Sequence, residues 1–265
     1  MPETREPLVT YSVDGHVAVF TLTNPPANTY SHEMMRDLDE CVLKARFDPD
    51  VQVIVLTGEG DKFFCAGADI SMLEGADPTW KYYFCLHANE TLSRLEQTPK
   101  LVIAALNGHA VGGGLEVALA ADLRVAVADG GKCGLPEVAL GVLPGTGGTQ
   151  RLARMLGKAK AIELMASGRN FGFDEALELG LVHEVWPRDG FTERVMEYAR
   201  GFCAPGKAAM AVGHIKRAVQ TGAEVPLEYG LALERELQAK LFASDDAAEG
   251  LAAFGEKRAA EFRAR

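Results

Sequence analysis

Residues 107–122 read NGHAVGGGLEVALAAD, an apolar run with three consecutive glycines and one acidic residue. Glycine costs a helix about 1 kcal/mol relative to alanine, and a carboxylate among apolar side chains is expensive to desolvate. Glycines at a helix N-terminus leave backbone N–H groups accessible where the helix dipole favours negative charge. The Gly113 N–H can therefore stabilise an oxyanion, with Glu116 on the same helix face. The alternative is close packing of a strand and a helix, with the carboxylate reaching solvent.

A second loop offers another accessible backbone amide. Residues 63–70, FFCAGADI, follow a strand, and Ala68 has no polar side chain, so its chemical contribution comes from its N–H. Alone, this loop indicates only a turn at Gly67. Two such loops after neighbouring strands, however, can place two N–H donors around one carbonyl oxygen, as an oxyanion hole requires.

A third segment supplies a second carboxylate. Residues 133–157 read CGLPEVALGVLPGTGGTQRLARMLG, with Glu137 directly after Pro136 in an apolar setting. Alone, a glutamate after a proline is typical of the first turn of a helix. Paired with Glu116, it indicates two carboxylates that divide base and acid roles around a reacting atom.

Composition narrows the class of protein. The chain has 265 residues, 48% apolar and 24% charged, which is typical of a globular protein. A net charge of −10 without a basic stripe argues against nucleic-acid binding. Five cysteines without a CxxC pair indicate reduced thiols and a cytoplasmic location. The polar N-terminus and the lack of a long apolar run predict no signal peptide and no membrane association.

The pattern of elements predicts an α/β protein through about residue 150, followed by a helical region. A hairpin is expected around Asp14-Gly15, and Ser31 is expected to cap a helix over 32–47. Buried strands are expected at VQVIVLTG, KLVIAALNG and LRVAVA, a helix at PTWKYYFCLHANETLSRLEQTP, and a loop over 58–70. After residue 147 the only clear strand is LVHEV.

Other catalytic patterns are missing from the sequence. There is no HExxH zinc motif, no GxSxG nucleophile motif and no P-loop. Of the six scattered histidines, only His109 lies within a candidate site loop. The aromatic residues at positions 80 and 82–84 are expected in the core or in a pocket wall. No metal site is predicted.

Taken together, NGHAVGGGLEVALAADLRVA, KFFCAGADI and LPEVALGVLPGTGGTQRL resemble the crotonase superfamily, in its enoyl-CoA hydratase/isomerase branch. The resemblance runs in order over nearly the whole chain. It implies a spiral of repeated ββα units over residues 1–200 and a helical trimerisation region over 201–265. It also implies an acyl-CoA substrate, no cofactor beyond the coenzyme A of that substrate, and a homotrimer or dimer of trimers.

The resemblance also assigns residues. Ala68 and Gly113 match the two oxyanion-hole amides, and Glu116 and Glu137 match the two catalytic carboxylates. Lys257 matches a basic position that approaches the coenzyme A phosphates in relatives. The matching loops imply further substrate-binding residues: Ala66, Gly67, Asp69, Ile70, Gly112, Pro136 and Gly145. Two departures stand out: an extra residue in ADGGKCG, and NPPANTYSHEMM in place of the asparagine–alanine-rich version of many short-chain hydratases.

Two retained glutamates favour hydration of a trans-2-enoyl-CoA, because water must be activated at C3 and a proton delivered to C2. Glu116 is expected to deprotonate water and Glu137 to supply the C2 proton, although coupled carboxylates can share these roles. The alternatives are an enoyl-CoA isomerase, which can work with Glu137 alone, and a thioester hydrolase or decarboxylase. A crotonase-like RNA-binding protein or a catalytically silent subunit is the non-enzymatic alternative.

Overall fold

A computed structural model describes residues 5–264. Its strands, in chain order, are β1 (Val9–Asp14), β2 (Val17–Leu22), β3 (Val53–Gly58), β4 (Phe63–Cys65), β5 (Leu101–Leu106), β6 (His109–Val111), β7 (Leu123–Val127), β8 (Lys132–Gly134), β9 (Phe171–Gly172) and β10 (Glu184–Trp186). Its α-helices are α1 (His32–Phe47), α2 (Ile70–Glu74), α3 (Pro78–Gln97), α4 (Gly113–Leu119), α5 (Gly148–Leu156), α6 (Lys158–Ser167), α7 (Phe173–Glu178), α8 (Phe191–Arg200), α9 (Ala209–Gly222), α10 (Leu227–Phe242) and α11 (Asp245–Glu256). A 3₁₀ helix, η1, spans Glu137–Leu140.

The strands form two sheets. The larger has the order β1-β2-β3-β5-β7-β10, with β1 antiparallel to β2 and the other neighbours parallel. The smaller has the order β4-β6-β8-β9, and its first three strands are parallel. The long strands β3, β5 and β7 are each followed by a short strand, which is β4, β6 and β8 respectively. The three short strands are neighbours in the smaller sheet in the same order as the three long strands in the larger one. A helix follows each pair, so the chain winds through repeated ββα units, as the sequence resemblance implies.

Buried apolar side chains hold the two sheets and their helices together. α1 and α3 pack on one face through residues such as Met34, Leu38 and Leu92, which belong to the main core. α8 covers the opposite face of the larger sheet through Phe191 and Val195, in a second core cluster. The larger sheet and the helices packed on both of its faces therefore support the short strands and the loops that follow them.

Most predicted elements are confirmed. The hairpin pairs Asp14 with Val17, and the Ser31 side chain accepts a hydrogen bond from the Met34 N–H at 3.3 Å. The loop predicted over 58–70 is wrong in one part, because β4 pairs there with β6. A strand of three residues is too short to show an alternating pattern, and the same holds for β6 and for the two-residue β9.

The C-terminal part of the described chain is helical, as predicted. α9 and α10 pack against each other, yet several large apolar side chains on α9, α10 and α11 face outward. These are Ile215, Val219, Leu227, Tyr229, Phe242, Leu251 and Phe254. The division at residue 200 stays a prediction. Within residues 5–264, no helix combines the length and the apolar character needed to cross a membrane.

Candidate active site

Three neighbouring short strands end at the predicted site loops. β4 leads into Ala68, β6 leads into Gly113, and β8 leads into Glu137. The strands are parallel, with Cys65 opposite Ala110 and Val111 opposite Gly134, and the register of β4 against β6 shifts by one residue between Phe63 and Cys65. Because the carboxyl ends of parallel strands lie at one edge of a sheet, three successive ββα units contribute one group each to the same place.

The three glycines at 112–114 each face a different neighbour. A β-carbon at Gly112 would lie 3.0 Å from Glu137 Oε1, and one at Gly113 would lie 2.2 Å from the Tyr30 ring. A β-carbon at Gly114 would lie 2.0 Å from the Cys65 carbonyl oxygen. Gly112 also has a φ of 57°, which favours glycine. The run of glycines therefore lets a carboxylate, an aromatic ring and a strand approach the start of α4.

Two backbone N–H groups lie beside these glycines, at Ala68 and Gly113. The Tyr30 backbone pairs with the Gly67 carbonyl and the Asp69 N–H, which directs the Ala68 N–H away from this bridge. Gly113 begins α4, so its N–H has no acceptor within the helix. Across residues 5–264, neither N–H donates a hydrogen bond. A β-carbon at Gly67, whose φ is 94°, would lie 3.2 Å from the Gly113 nitrogen, so the two loops meet closely.

Glu116 is a buried carboxylate with three donors. It is 2% exposed, and its Oε1 accepts hydrogen bonds from the Thr146 N–H at 2.8 Å and the Gly148 N–H at 2.7 Å. The Thr146 hydroxyl bonds to Oε2. Burial raises the pKa of Glu116 above its usual range, and the three hydrogen bonds oppose that rise. The donors hold the plane of the carboxylate in one orientation.

Glu137 lies in a different environment. It begins η1, directly after Pro136, and its Oε2 is buried without a hydrogen-bond partner within residues 5–264. Burial raises the pKa of Glu137 to about 7, and the negative charge of Glu116 adds to this rise. Two carboxyl groups are thus close enough to interact. Glu116 is held by donors that favour its ionised form, whereas Glu137 keeps its proton up to neutral pH.

The other predicted substrate-binding residues are distributed around this site. Ala66 and Gly67 precede Ala68, and Ile70 is 48% exposed at the start of α2. Asp69 caps α2 through the Ser71 and Met72 N–H groups, and the hydrogen bond from the Ser71 hydroxyl, together with these two, lowers its pKa. A β-carbon at Gly145 would lie 3.3 Å from Cys85 Sγ, and its carbonyl accepts a hydrogen bond from Asn89.

The last two candidate residues are Lys257 and His109. Lys257 is the exposed residue that ends α11, and among residues 5–264 no hydrogen bond or ion pair joins it to the glutamates. The His109 ring nitrogen Nδ1 accepts a hydrogen bond from the Lys132 N–H at 3.0 Å, so this histidine stabilises a loop. No group of His, Cys, Asp or Glu within 5–264 is arranged to hold a metal ion.

The expected core position is wrong for two of the four aromatic residues, and a place in a pocket wall stays a prediction. Trp80 and Phe84 stack with ring centroids 5.5 Å apart, and Phe84 stacks on Tyr30 at 5.7 Å. Tyr82 and Tyr83 instead are 64% and 60% exposed. Successive helix residues are about 100° apart, so position 82 lies opposite to 80 and 84, whereas position 83 lies beside the buried face.

Sequence reasoning missed Tyr30 and Thr146, whose hydroxyl oxygens lie 3.2 Å apart behind Glu116. It also missed the Gly148 N–H, which donates to the same carboxylate. One signal was available: Tyr30 lies in the segment 24–35, which departs from the common version of this loop. Gly148 begins α5, and an amide at a helix N-terminus is a natural partner for a carboxylate.

Comparison with known proteins agrees with this architecture. A family model described as enoyl-CoA hydratase/isomerase matches residues 12–265. A short-chain-enoyl-CoA hydratase of Clostridium acetobutylicum is 36% identical over 94% of this chain and 94% of its own length. An (E)-benzylidenesuccinyl-CoA hydratase of Thauera aromatica is 38% identical, covering 96% and 98%. The crystal structure of an enoyl-CoA hydratase from Geobacillus kaustophilus superposes with a TM-score of 0.96 at 45% identity, covering 99% and 98%.

The ββα spiral and the paired carboxylates define an α/β enzyme of the crotonase type. The chain belongs to the enoyl-CoA hydratase/isomerase family.

Proposed function

We propose that the protein is an enoyl-CoA hydratase, a lyase that adds water across the C2=C3 double bond of a trans-2-enoyl-CoA. The observation that carries the proposal is the pair Glu116 and Glu137, two interacting carboxyl groups in unlike environments beside two free backbone amides. The hydratase names of the relatives support the same reaction.

In the proposed reaction, the Ala68 and Gly113 N–H groups bind the thioester oxygen and stabilise the charge that develops on it. Glu116 binds a water molecule and accepts one of its protons as the oxygen attacks C3. Glu137 donates its proton to C2, so that the elements of water are added and the thioester is otherwise unchanged. Afterwards Glu116 holds a proton and Glu137 has lost one, and the two exchange protons with solvent before the next cycle.

The assignment of roles follows from the surroundings of the two carboxyl groups. Three donors favour the ionised form of Glu116, which suits a general base. A pKa of about 7 leaves much of Glu137 protonated at neutral pH, which suits a general acid. A double-bond isomerase would need only one of these groups, so the second buried carboxyl group, Glu116, held by three hydrogen bonds, favours hydration over isomerisation.

The first experiment mixes the purified protein with crotonyl-CoA and follows the ultraviolet absorbance of the conjugated enoyl thioester. We expect rapid loss of absorbance and a product heavier by one water, and both are lost in Glu116→Gln and Glu137→Gln. An aryl-substituted enoyl-CoA run in parallel tests the acyl range suggested by the relatives. An unchanged mass with a moved double bond would establish an isomerase, whereas free coenzyme A would establish a hydrolase.

The outward apolar side chains of α9–α11 support assembly into a homotrimer or a dimer of trimers, as the resemblance implies. Isolated monomers rarely expose such a concentration of large apolar residues. Sedimentation velocity at several protein concentrations tests this, and a monomer at every concentration would contradict it. In an assembly, Lys257 is proposed to approach the coenzyme A phosphates. Coenzyme A enters only as part of the substrate, and a cytoplasmic location is proposed from the reduced cysteines.

A further inference from the structure

Two hydroxyl groups form a short buried chain behind Glu116. The Thr146 hydroxyl bonds to Glu116 Oε2, and the Tyr30 hydroxyl oxygen lies 3.2 Å from Thr146 Oγ1. Tyr30, Thr146 and Glu116 are 3%, 2% and 2% exposed. The reaction steps described above use Glu116 but assign nothing to these hydroxyls.

The direction of the chain follows from counting protons. A threonine hydroxyl has one proton and can accept further hydrogen bonds through its lone pairs. When Glu116 is ionised, the Thr146 proton points to Oε2, so Tyr30 must be the donor to Thr146. Burial and the negative charge of Glu116 both raise the pKa of Tyr30, so the phenol keeps the proton that it donates.

The Tyr30 ring is held firmly in place. It stacks on Phe84 and lies against the bare α-carbon of Gly113. Its backbone donates to the Gly67 carbonyl at 2.9 Å and accepts from the Asp69 N–H at 3.0 Å. The hydroxyl therefore has a fixed position, and a phenylalanine at this position would keep every contact except the bond to Thr146.

We propose that Tyr30 is a positioning residue for Glu116. By donating to Thr146, its hydroxyl keeps the Thr146 proton on Oε2 and leaves one lone pair of that oxygen free for the attacking water. The inference rests on the proposed hydration, because it explains how Glu116 is oriented for that reaction. Leucine or alanine at position 30 would leave Thr146 free to turn its proton elsewhere.

The decisive variant is Tyr30→Phe, because it removes one oxygen atom. We expect kcat for hydration to fall roughly five- to tenfold. The variant loses the hydrogen bond to Thr146, which supports the buried Glu116 carboxylate through the Thr146 hydroxyl. KM should stay within about twofold, because no substrate contact changes. The acidic limb of the pH profile should move to higher pH, because Glu116 loses support for its ionised form. Tyr11→Phe is the matched control, as the Tyr11 hydroxyl is buried without a partner within residues 5–264.

A double-mutant cycle tests the order of the chain. Thr146→Val should reduce kcat more than Tyr30→Phe, and the double variant should be no worse than Thr146→Val alone. Thr146→Ser keeps the hydroxyl and should retain most of the activity. Effects of Tyr30→Phe and Thr146→Val that multiply would overturn the proposal. So would a change in KM alone, or an unaltered kcat and pH profile in Tyr30→Phe.

A readout without turnover separates this inference from the proposed function. Infrared difference spectra against Glu116→Gln report the titration of the Glu116 carboxyl in the free protein. We expect that titration to move to higher pH in Tyr30→Phe and to stay unchanged in Tyr11→Phe. A wild-type protein that hydrates no enoyl-CoA would refute the proposed function. An unmoved carboxyl titration in Tyr30→Phe would refute the role of Tyr30 in supporting ionised Glu116.

Discussion

The Glu137 carboxylate lies against the bare α-carbon of Gly112, and a β-carbon there would be 3.0 Å from Oε1. Gly112 precedes α4, the helix that carries Glu116, so this contact links the two glutamates of the proposed acid–base pair. The residue that permits the contact carries no side chain at all.

Gly112→Ala is therefore expected to move Glu137 and to strain the backbone, because the φ of 57° is unfavourable for alanine. A displacement of this kind should lower kcat by about 10²-fold, since proton transfer depends on position. Steady-state hydration of crotonyl-CoA measures the effect. Gly172→Ala is the control, because its β-carbon would meet open space at an ordinary φ. Equal activities in the two variants would contradict the prediction.

The variants Glu116→Gln and Glu116→Ala should differ in stability. Glutamine retains Oε1 as acceptor for the Thr146 and Gly148 N–H groups, whereas alanine leaves both buried donors unpaired. We expect Glu116→Ala to lower the free energy of unfolding by about 2–4 kcal/mol relative to Glu116→Gln. Both should lose roughly 10²–10⁴-fold in kcat. Urea denaturation at one fixed protein concentration makes the comparison, and indistinguishable midpoints would count against these hydrogen bonds.

Glu137 should make both activity and stability depend on pH. Its pKa is about 7 in the folded protein and 4.5 without the fold. Between these values the folded state holds a proton that the unfolded state has lost, so the free energy of unfolding falls as pH rises. The rate of hydration should also fall as the pH rises through about 7, because Glu137 then loses the proton that it donates to C2.

Glu137→Gln removes this titration. The variant should be more stable than wild type at pH 8, on the order of 1–2 kcal/mol after allowance for partial solvent screening, and nearly equal at pH 4.5. Denaturation curves at the two pH values test the sign. A variant that is less stable than wild type at pH 8 would show that Glu137 is not held in a destabilising environment.

Lys216 and Asp122 form a buried ion pair at 2.8 Å that ties α9 to the larger sheet. Asp122 also accepts hydrogen bonds from the Val102 N–H and from Gln220. Lys216→Met leaves the carboxylate buried without its cation, and we expect a loss of about 3–5 kcal/mol. Adding Asp122→Asn should recover part of that loss.

The exposed pair of Arg154 and Glu224, at 2.7 Å, provides the comparison. Arg154→Gln is expected to leave the unfolding midpoint unchanged, because solvent screens both charges. Thermal unfolding at one protein concentration compares both sites. If the two substitutions had equal effects, burial would not be the factor that makes the inner pair important.

Much of the site could be predicted because its residues are local in sequence. Gly113 and Glu116 lie three positions apart on one helix, and Pro136 and Glu137 are adjacent, so each pair is visible within one segment, and the family resemblance of the three segments combines them. The hairpin and α1 follow in the same way from turn and capping residues. The parallel neighbours β4, β6 and β8 were missed as strands because three residues show no periodicity.

The network behind Glu116 could not be predicted in this way. Tyr30 and Thr146 are 116 positions apart, and their contact forms only when the segment before α1 meets the segment before α5. A tyrosine in an otherwise apolar loop reveals no partner by itself. The close approach of the Tyr30 ring to Gly113 likewise becomes visible only when the two sheets are assembled.

The winding of the chain has a consequence for how such an enzyme can diversify. The short strands β4, β6 and β8 bring the reacting groups to one edge, while α3 supplies the aromatic side chains nearby. The proposed reacting groups are therefore encoded in three separate stretches of the gene, and α3 in a further one. Exchange of α3 is expected to alter the support of Glu116, because Phe84 of this helix stacks on Tyr30.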